Sequence, residues 1–150
     1  MGMYTELILG CEFSKNTPDV LIKALDHVIN YPEEEVDMNV QKFIREYDLN
    51  YLLFGSSYYF GVNRSSAMFW KDTIDNSYHI STRSNIKNYT NQIEKFLEYI
   101  KPYVERGSGY EHRIYAYVQY ESDEFPTVYA WDGRYEFDEI VSQSENTKDK

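Results

Sequence analysis

The stretch Tyr4-Thr5-Glu6-Leu7-Ile8-Leu9-Gly10-Cys11-Glu12-Phe13 alternates along its whole length. Thr5, Leu7, Leu9, Cys11 and Phe13 fall on one side, with Glu6, Ile8, Gly10 and Glu12 on the other. This is the period-two pattern of a β-strand with a mostly apolar face and an acid-bearing face. Downstream, Thr17-Pro18 reads as an N-cap with proline at the first helical position. Leu21, Leu25, Val28 and Ile29 then recur at helical spacing, predicting a helix over Pro18 to Asn30. After an acidic loop, Val40, Phe43, Ile44 and Tyr47 suggest a second, short helix.

From Tyr51 to Ser84 the pattern turns to short β-rich runs at Tyr51 to Phe54, Tyr58 to Val62, Ala67 to Lys71 and Tyr78 to Arg83. Gly55, Gly61, Asn63 and Asp75-Asn76 supply the turn chemistry between them. The runs read as an antiparallel meander. Ile93, Phe96, Leu97, Ile100 and Val104 form the apolar stripe of a longer helix over about Thr90 to Arg106, with Asn88 or Thr90 as its cap. Pro102 should break its last turn, because it removes a helical hydrogen bond. Arg113 to Tyr120 and Thr127 to Trp131 alternate again, predicting a hairpin whose small aliphatic side faces the helices. A third short run, Arg134 to Phe137, follows the Asp132-Gly133 turn. The element order predicts an α+β fold: a single antiparallel or mixed sheet with two or three helices packed on one face. One domain over residues 1–139 is expected, with residues 140–150 a polar, frayed tail.

The chain is 42% hydrophobic and 17% aromatic, outside the regime that leaves chains disordered. Its single cysteine, Cys11, cannot close an internal disulfide and is a poor basis for a structural zinc site. No apolar run approaches the roughly 18 residues needed to span a bilayer. These features predict a soluble protein of a reducing, cytoplasmic compartment without cofactor or metal. The net charge of −10 opposes direct binding to double-stranded DNA and leaves open a partner that is itself basic.

Against that acidic background, residues Ser56 to Tyr89 set Arg64, Lys71, Arg83 and Lys87 against only Asp72 and Asp75, a net of +2 among many rings. Arg83, Lys87 and the free N–H groups of the following helix would converge on a small anion or nucleotide, with Tyr58, Tyr59, Trp70 and His79 as stacking and polar partners. Two further groups suit a protein partner: the acidic loop Glu33, Glu34, Glu35 and Asp37, and the aromatic hairpin side formed by Tyr115, Tyr117, Tyr129 and Trp131. An uncovered aromatic side would equally suit a homodimer mate.

Catalytic signatures are weak. His79-Ile80-Ser81 has the two-residue spacing that two-histidine phosphoesterases use to aim both side chains at one phosphate. Its only downstream counterpart, His112-Arg113-Ile114, lacks the hydroxyl, so a phosphoesterase is a less favoured reading. No catalytic residue is assigned.

Ser56-Ser57-Tyr58-Tyr59-Phe60-Gly61, Ile80-Ser81-Thr82-Arg83-Ser84-Asn85-Ile86-Lys87-Asn88-Tyr89 and the opening Met3-Tyr4-Thr5-Glu6-Leu7-Ile8-Leu9-Gly10 together resemble small accessory proteins of tailed phages and prophages of Gram-positive bacteria. Ile93-Glu94-Lys95-Phe96-Leu97-Glu98-Tyr99-Ile100-Lys101-Pro102-Tyr103 and Gly107-Ser108-Gly109 extend the likeness. The resemblance implies a small product made inside a bacterial host, of a kind that acts by binding and disabling a host or defence protein. It supplies no catalytic residues.

Overall fold

The first strand of the sequence, β1 (Thr5–Phe13), occupies an interior position of the sheet, with a neighbour on each side. The computed structural model describes residues 3–57, 65–107 and 113–136. In them β1 is followed by α1 (Asp19–Asn30), α2 (Met38–Tyr47), α3 (Leu49–Phe54), β2 (Ser66–Lys71) and β3 (Tyr78–Ile86). Next come α4 (Gln92–Ile100), β4 (Ile114–Tyr120), β5 (Thr127–Ala130) and β6 (Gly133–Tyr135). The strands form a single antiparallel sheet in the order β2-β3-β1-β4-β5-β6. The fold is α+β, as the element order predicts, with four α-helices among the described residues where two or three were expected.

The helices cover the side of β1 that carries Leu7, Leu9 and Phe13, all buried, together with Ile80 and Ile86 of β3 and Ala116 and Val118 of β4. Each helix contributes a spaced apolar stripe to this one core: Leu21, Leu25 and Val28 from α1, Val40, Phe43 and Ile44 from α2, and Ile93, Phe96, Leu97 and Ile100 from α4. Fully burying a Leu, Ile or Phe side chain is worth about 1.5–3 kcal/mol, so this layer supplies the main driving force of the fold.

Several local expectations change. Tyr51 to Phe54, expected as a strand, belongs to α3, where Leu49, Leu52 and Leu53 are completely buried at helical spacing. A four-residue apolar run fits strand or helix equally in the sequence. Asp48 decides the matter by taking a left-handed conformation (φ 47°) that closes α2 and redirects the chain into α3. Thr17 does not cap α1: Pro18 holds the cap position, and the Thr17 hydroxyl donates instead to the Ser14 carbonyl at 2.6 Å. The long final helix stops at Ile100. Pro102 lies in a 3₁₀ turn, Lys101–Tyr103, after which Val104 bridges to Phe13. At the other end Asn91, in a left-handed conformation (φ 55°), holds the cap position of α4, so neither Asn88 nor Thr90 does, although the Asn88 Oδ1 accepts from the Ile93 N–H at 3.0 Å. The predicted meander reduces to the β2–β3 hairpin, because β3 turns to pair with β1. The predicted strand over Tyr58 to Val62 and the tail over residues 140–150 lie outside the described residues.

α3 is fastened to β3 by three hydrogen bonds. Ser84 Oγ donates to the Leu52 carbonyl at 2.6 Å, the Lys87 N–H donates to the Tyr51 hydroxyl at 2.8 Å, and the Asn85 N–H donates to the Gly55 carbonyl at 2.9 Å. The edge strand β2 is met by α1, whose Asn30 Nδ2 donates to the Phe69 carbonyl at 2.9 Å.

Gly55 sits where α3 and β3 come closest. A Cβ there would lie 2.6 Å from Ile86 Cγ2, 2.8 Å from the Tyr51 carbonyl oxygen and 3.0 Å from the Asn85 carbonyl oxygen. Two of those three atoms are backbone and cannot step aside. Gly55→Ala should therefore cost about 1–3 kcal/mol by overpacking, read as a lower urea midpoint with an unchanged denaturant slope.

Candidate functional site

The sheet face opposite the helices carries side chains in rows set by strand register. Trp70, His79 and Glu12 form one row across β2, β3 and β1. Met68, Ser81 and Gly10 form the next. A third runs Ser66, Arg83, Ile8, Tyr117, Val128 and Tyr135 across all six strands. Successive rows are two residues apart, about 7 Å along the strands. The middle row is floored by Ser81 and Gly10, so a trough runs between its taller neighbours.

One end of this trough opens because β1 changes partner along its length. β1 pairs with β4 as far as Leu9↔Ala116, where a bulge turns β4 aside. At the far end of β1 the partner is the segment after α4: Val104 bridges Phe13, and the Glu105 N–H donates to the Glu12 carbonyl at 2.7 Å. The split between these two partners is a groove of about 300 Å³, lined by Gly10, Glu12, Trp70, His79, Ser81, Glu105, Arg113 and Ile114, with Cys11 and Tyr115 beneath.

Trp70 and His79 are stacked, with ring centroids 5.3 Å apart and planes inclined by 10°. The imidazole is anchored from behind, since His79 Nε2 and Ser77 Oγ are hydrogen-bonded at 3.0 Å. His79 and Ser81 share a face as their spacing requires, yet the hydroxyl that His79 engages is that of Ser77. His112 lies outside the described residues. Trp70 remains 44% exposed and Met68 63% exposed.

The cations expected to converge do not. Arg83 is held by Glu6 through two hydrogen bonds of 3.1 Å, from Nε to Oε2 and from Nη2 to Oε1. A forked pair of this kind fixes the guanidinium and neutralises it. Glu6, on the acid-bearing side of β1, is only 7% exposed. Lys87 lies past the end of β3, its ammonium 5.7 Å from the Tyr4 ring centroid. The Ile93 N–H, in the first turn of α4, is taken by the Asn88 side chain. Trp70 and His79 thus form one cluster, Arg83 belongs to an ion pair about 14 Å along the same strand, and Lys87 lies farther still. Tyr58 and Tyr59 lie outside the described residues.

The four hairpin aromatics divide between the two faces. Tyr117 is exposed on the open face. Tyr115 is 5% exposed, and Tyr129, register partner of Ala116, is half-buried on the helix side, their ring centroids 6.5 Å apart. The bulge between Ile114 and Ala116 accounts for the exchange: it turns Tyr115 inward and leaves Ile114 exposed, against the simple alternation of the sequence. Trp131 is exposed in the turn between β5 and β6, with the Arg106 guanidinium 4.6 Å from its ring centroid. Glu33, Glu34 and Glu35 are exposed, and Asp37, also exposed, accepts the Val40 N–H at 3.1 Å as the cap of α2.

Met68, Glu105 and Arg113 were not singled out by the sequence. Met68 carries a readable signal, since it alternates with Phe69 on a predicted strand. Glu105 has none, because its place in the groove follows from the break at Pro102.

Among the described residues no group of His, Cys, Asp and Glu is arranged to hold a metal ion, and no helix is long and apolar enough to cross a membrane. Comparison with protein-family models, with curated proteins and with solved structures finds no match to this chain.

Burial pushes the Cys11 thiol up from 9.0 to about 12, against the opposing influence of Arg113. It also pushes the Tyr115 phenol up from 10.0 to about 12, with Cys11 adding to the shift. Both groups therefore keep their protons in the folded chain at a pH where the unfolded chain has lost them. Stability should be complete below pH 9 and fall as pH rises from 9 toward 12. Urea midpoints at about pH 8 and about pH 10.5 should show the loss, and Tyr115→Phe should reduce it.

Proposed function

We propose that this protein is a non-enzymatic phage accessory protein that binds and inhibits a host protein, docking it on the open face of the sheet. The observation that carries the reading is the exposure of Met68, Trp70, Ile114 and Tyr117 on one face that no described helix covers. Large rings and methionine exposed together favour protein contact, because each buries much area at modest entropic cost. The charge supports the choice of partner: at −10 the chain attracts a basic surface and repels nucleic acid. Exposed acidic groups stand in the loop Glu33 to Asp37 after α1 and at Asp123 and Glu124 between β4 and β5.

The alternative, sequestration of a small anion or nucleotide by the 56–89 segment, loses support from the engagement of Arg83 by Glu6. A phosphoesterase built on His79 and Ser81 gains none from a histidine bonded to Ser77.

Affinity capture from host lysate should recover a protein with the wild-type chain and lose it with Met68→Ser/Trp70→Ser, a pair of substitutions at exposed positions that leave the core intact. Once the partner is purified, the same variant should weaken binding at least tenfold, about 1.4 kcal/mol. Equal capture by both chains would place the contact elsewhere and end this reading.

A further inference from the structure

The groove where β1 changes partner has a chemistry of its own. Glu12 and Glu105 come side by side through the backbone hydrogen bond that joins them, and both line the groove. Neither makes an ion pair with a described residue. Beside them stands the Trp70–His79 stack, a flat double ring whose imidazole is anchored by Ser77. His79 is the direct cross-strand neighbour of Glu12, and the adjacent row offers only Ser81 and Gly10 beside them, so nothing bulky crowds that side of the ring and the carboxylates.

We propose that this groove receives an arginine side chain presented by the partner protein. The inference rests on the binding function proposed above and names the chemistry of its central contact. A planar guanidinium can lie against the ring stack, at its His79 end, while its N–H groups are shared by carboxylates, and an ammonium cannot match both demands. The volume of about 300 Å³ lies at the lower end of small-molecule sites, which suits one side chain better than a whole nucleotide.

The other charges leave room for it. Arg83 is neutralised by Glu6. Among the described residues that line the groove, Arg113 is the one Lys or Arg, and its Nη1 lies 2.7 Å from where a Cβ on Gly107 would sit. Glu12, Glu105 and Arg113 together give the groove lining a formal charge of −1, which favours a cationic ligand over an anionic one.

The test is NMR titration of the full chain with N-acetyl-arginine-N-methylamide, its lysine counterpart and its uncharged citrulline counterpart. The arginine compound should give saturable shifts at the Trp70 indole N–H and the Gly10 and Ser81 amides. Lysine should bind more weakly and citrulline not at all. Glu12→Gln/Glu105→Gln should reduce arginine affinity at least tenfold with thermal stability unchanged, and Trp70→Leu should reduce it as well. Absence of shifts, equal response to citrulline or to lysine, or shifts that survive the double glutamine variant would overturn the proposal. So would a captured partner that binds the double glutamine variant as tightly as wild type while losing Met68→Ser/Trp70→Ser, a result that would leave the docking face standing and remove only the arginine receptor.

Discussion

Everything in this molecule is arranged around the need of β1 to be hydrogen-bonded along both edges. An interior strand has no solvent to satisfy its N–H and C=O groups, so each stretch of it must find a neighbour. On one edge β3 answers along the whole strand, from Thr5↔Ile86 to Phe13↔Tyr78. On the other edge no single strand does. β4 serves Thr5 to Leu9, and the segment after the 3₁₀ turn serves Glu12 and Phe13. The groove is the seam between two partial solutions, placed where β1 carries its smallest residue, Gly10.

The two faces of β1 solve opposite problems. The helix side gathers Leu7, Leu9 and Phe13 into a core to which all four helices contribute. The open side places Glu6, nearly buried, against Arg83 on the next strand, so a charge that would be costly alone is held in a forked pair. That pairing engages Arg83, one of the cations of the 56–89 segment. A guanidinium already engaged by a carboxylate has little left to offer a phosphate.

Much of the architecture could be read from residue spacing. The alternation of Thr5 to Phe13, the stripe Ile93, Phe96, Leu97 and Ile100, and the break at Pro102 are local signals, and each appears where the spacing puts it. What escaped reading depends on contacts distant in sequence. The α3 segment looked like a strand because four apolar residues do not define a period, and its helical form is settled by Asp48 and by docking onto Ser84 and Asn85. The hairpin aromatics looked like one face because a bulge leaves no mark in the alternation of Ile114 to Tyr120. Of the candidate site, the neighbourhood of Trp70 and His79 follows from their predicted strands. Glu105 joins them only through the altered pairing of β1.

Asn30 has a role beyond the joint it makes. Sheets with unprotected outer strands invite further copies to add on, the first step toward insoluble fibrils. Here one outer strand has a backbone oxygen already claimed by Asn30, ends in Lys71 and lies under a helix, while the opposite one, β6, is only three residues long. In the described residues, both outer edges of a sheet rich in tyrosine are thus poorly suited to polymerising through the backbone.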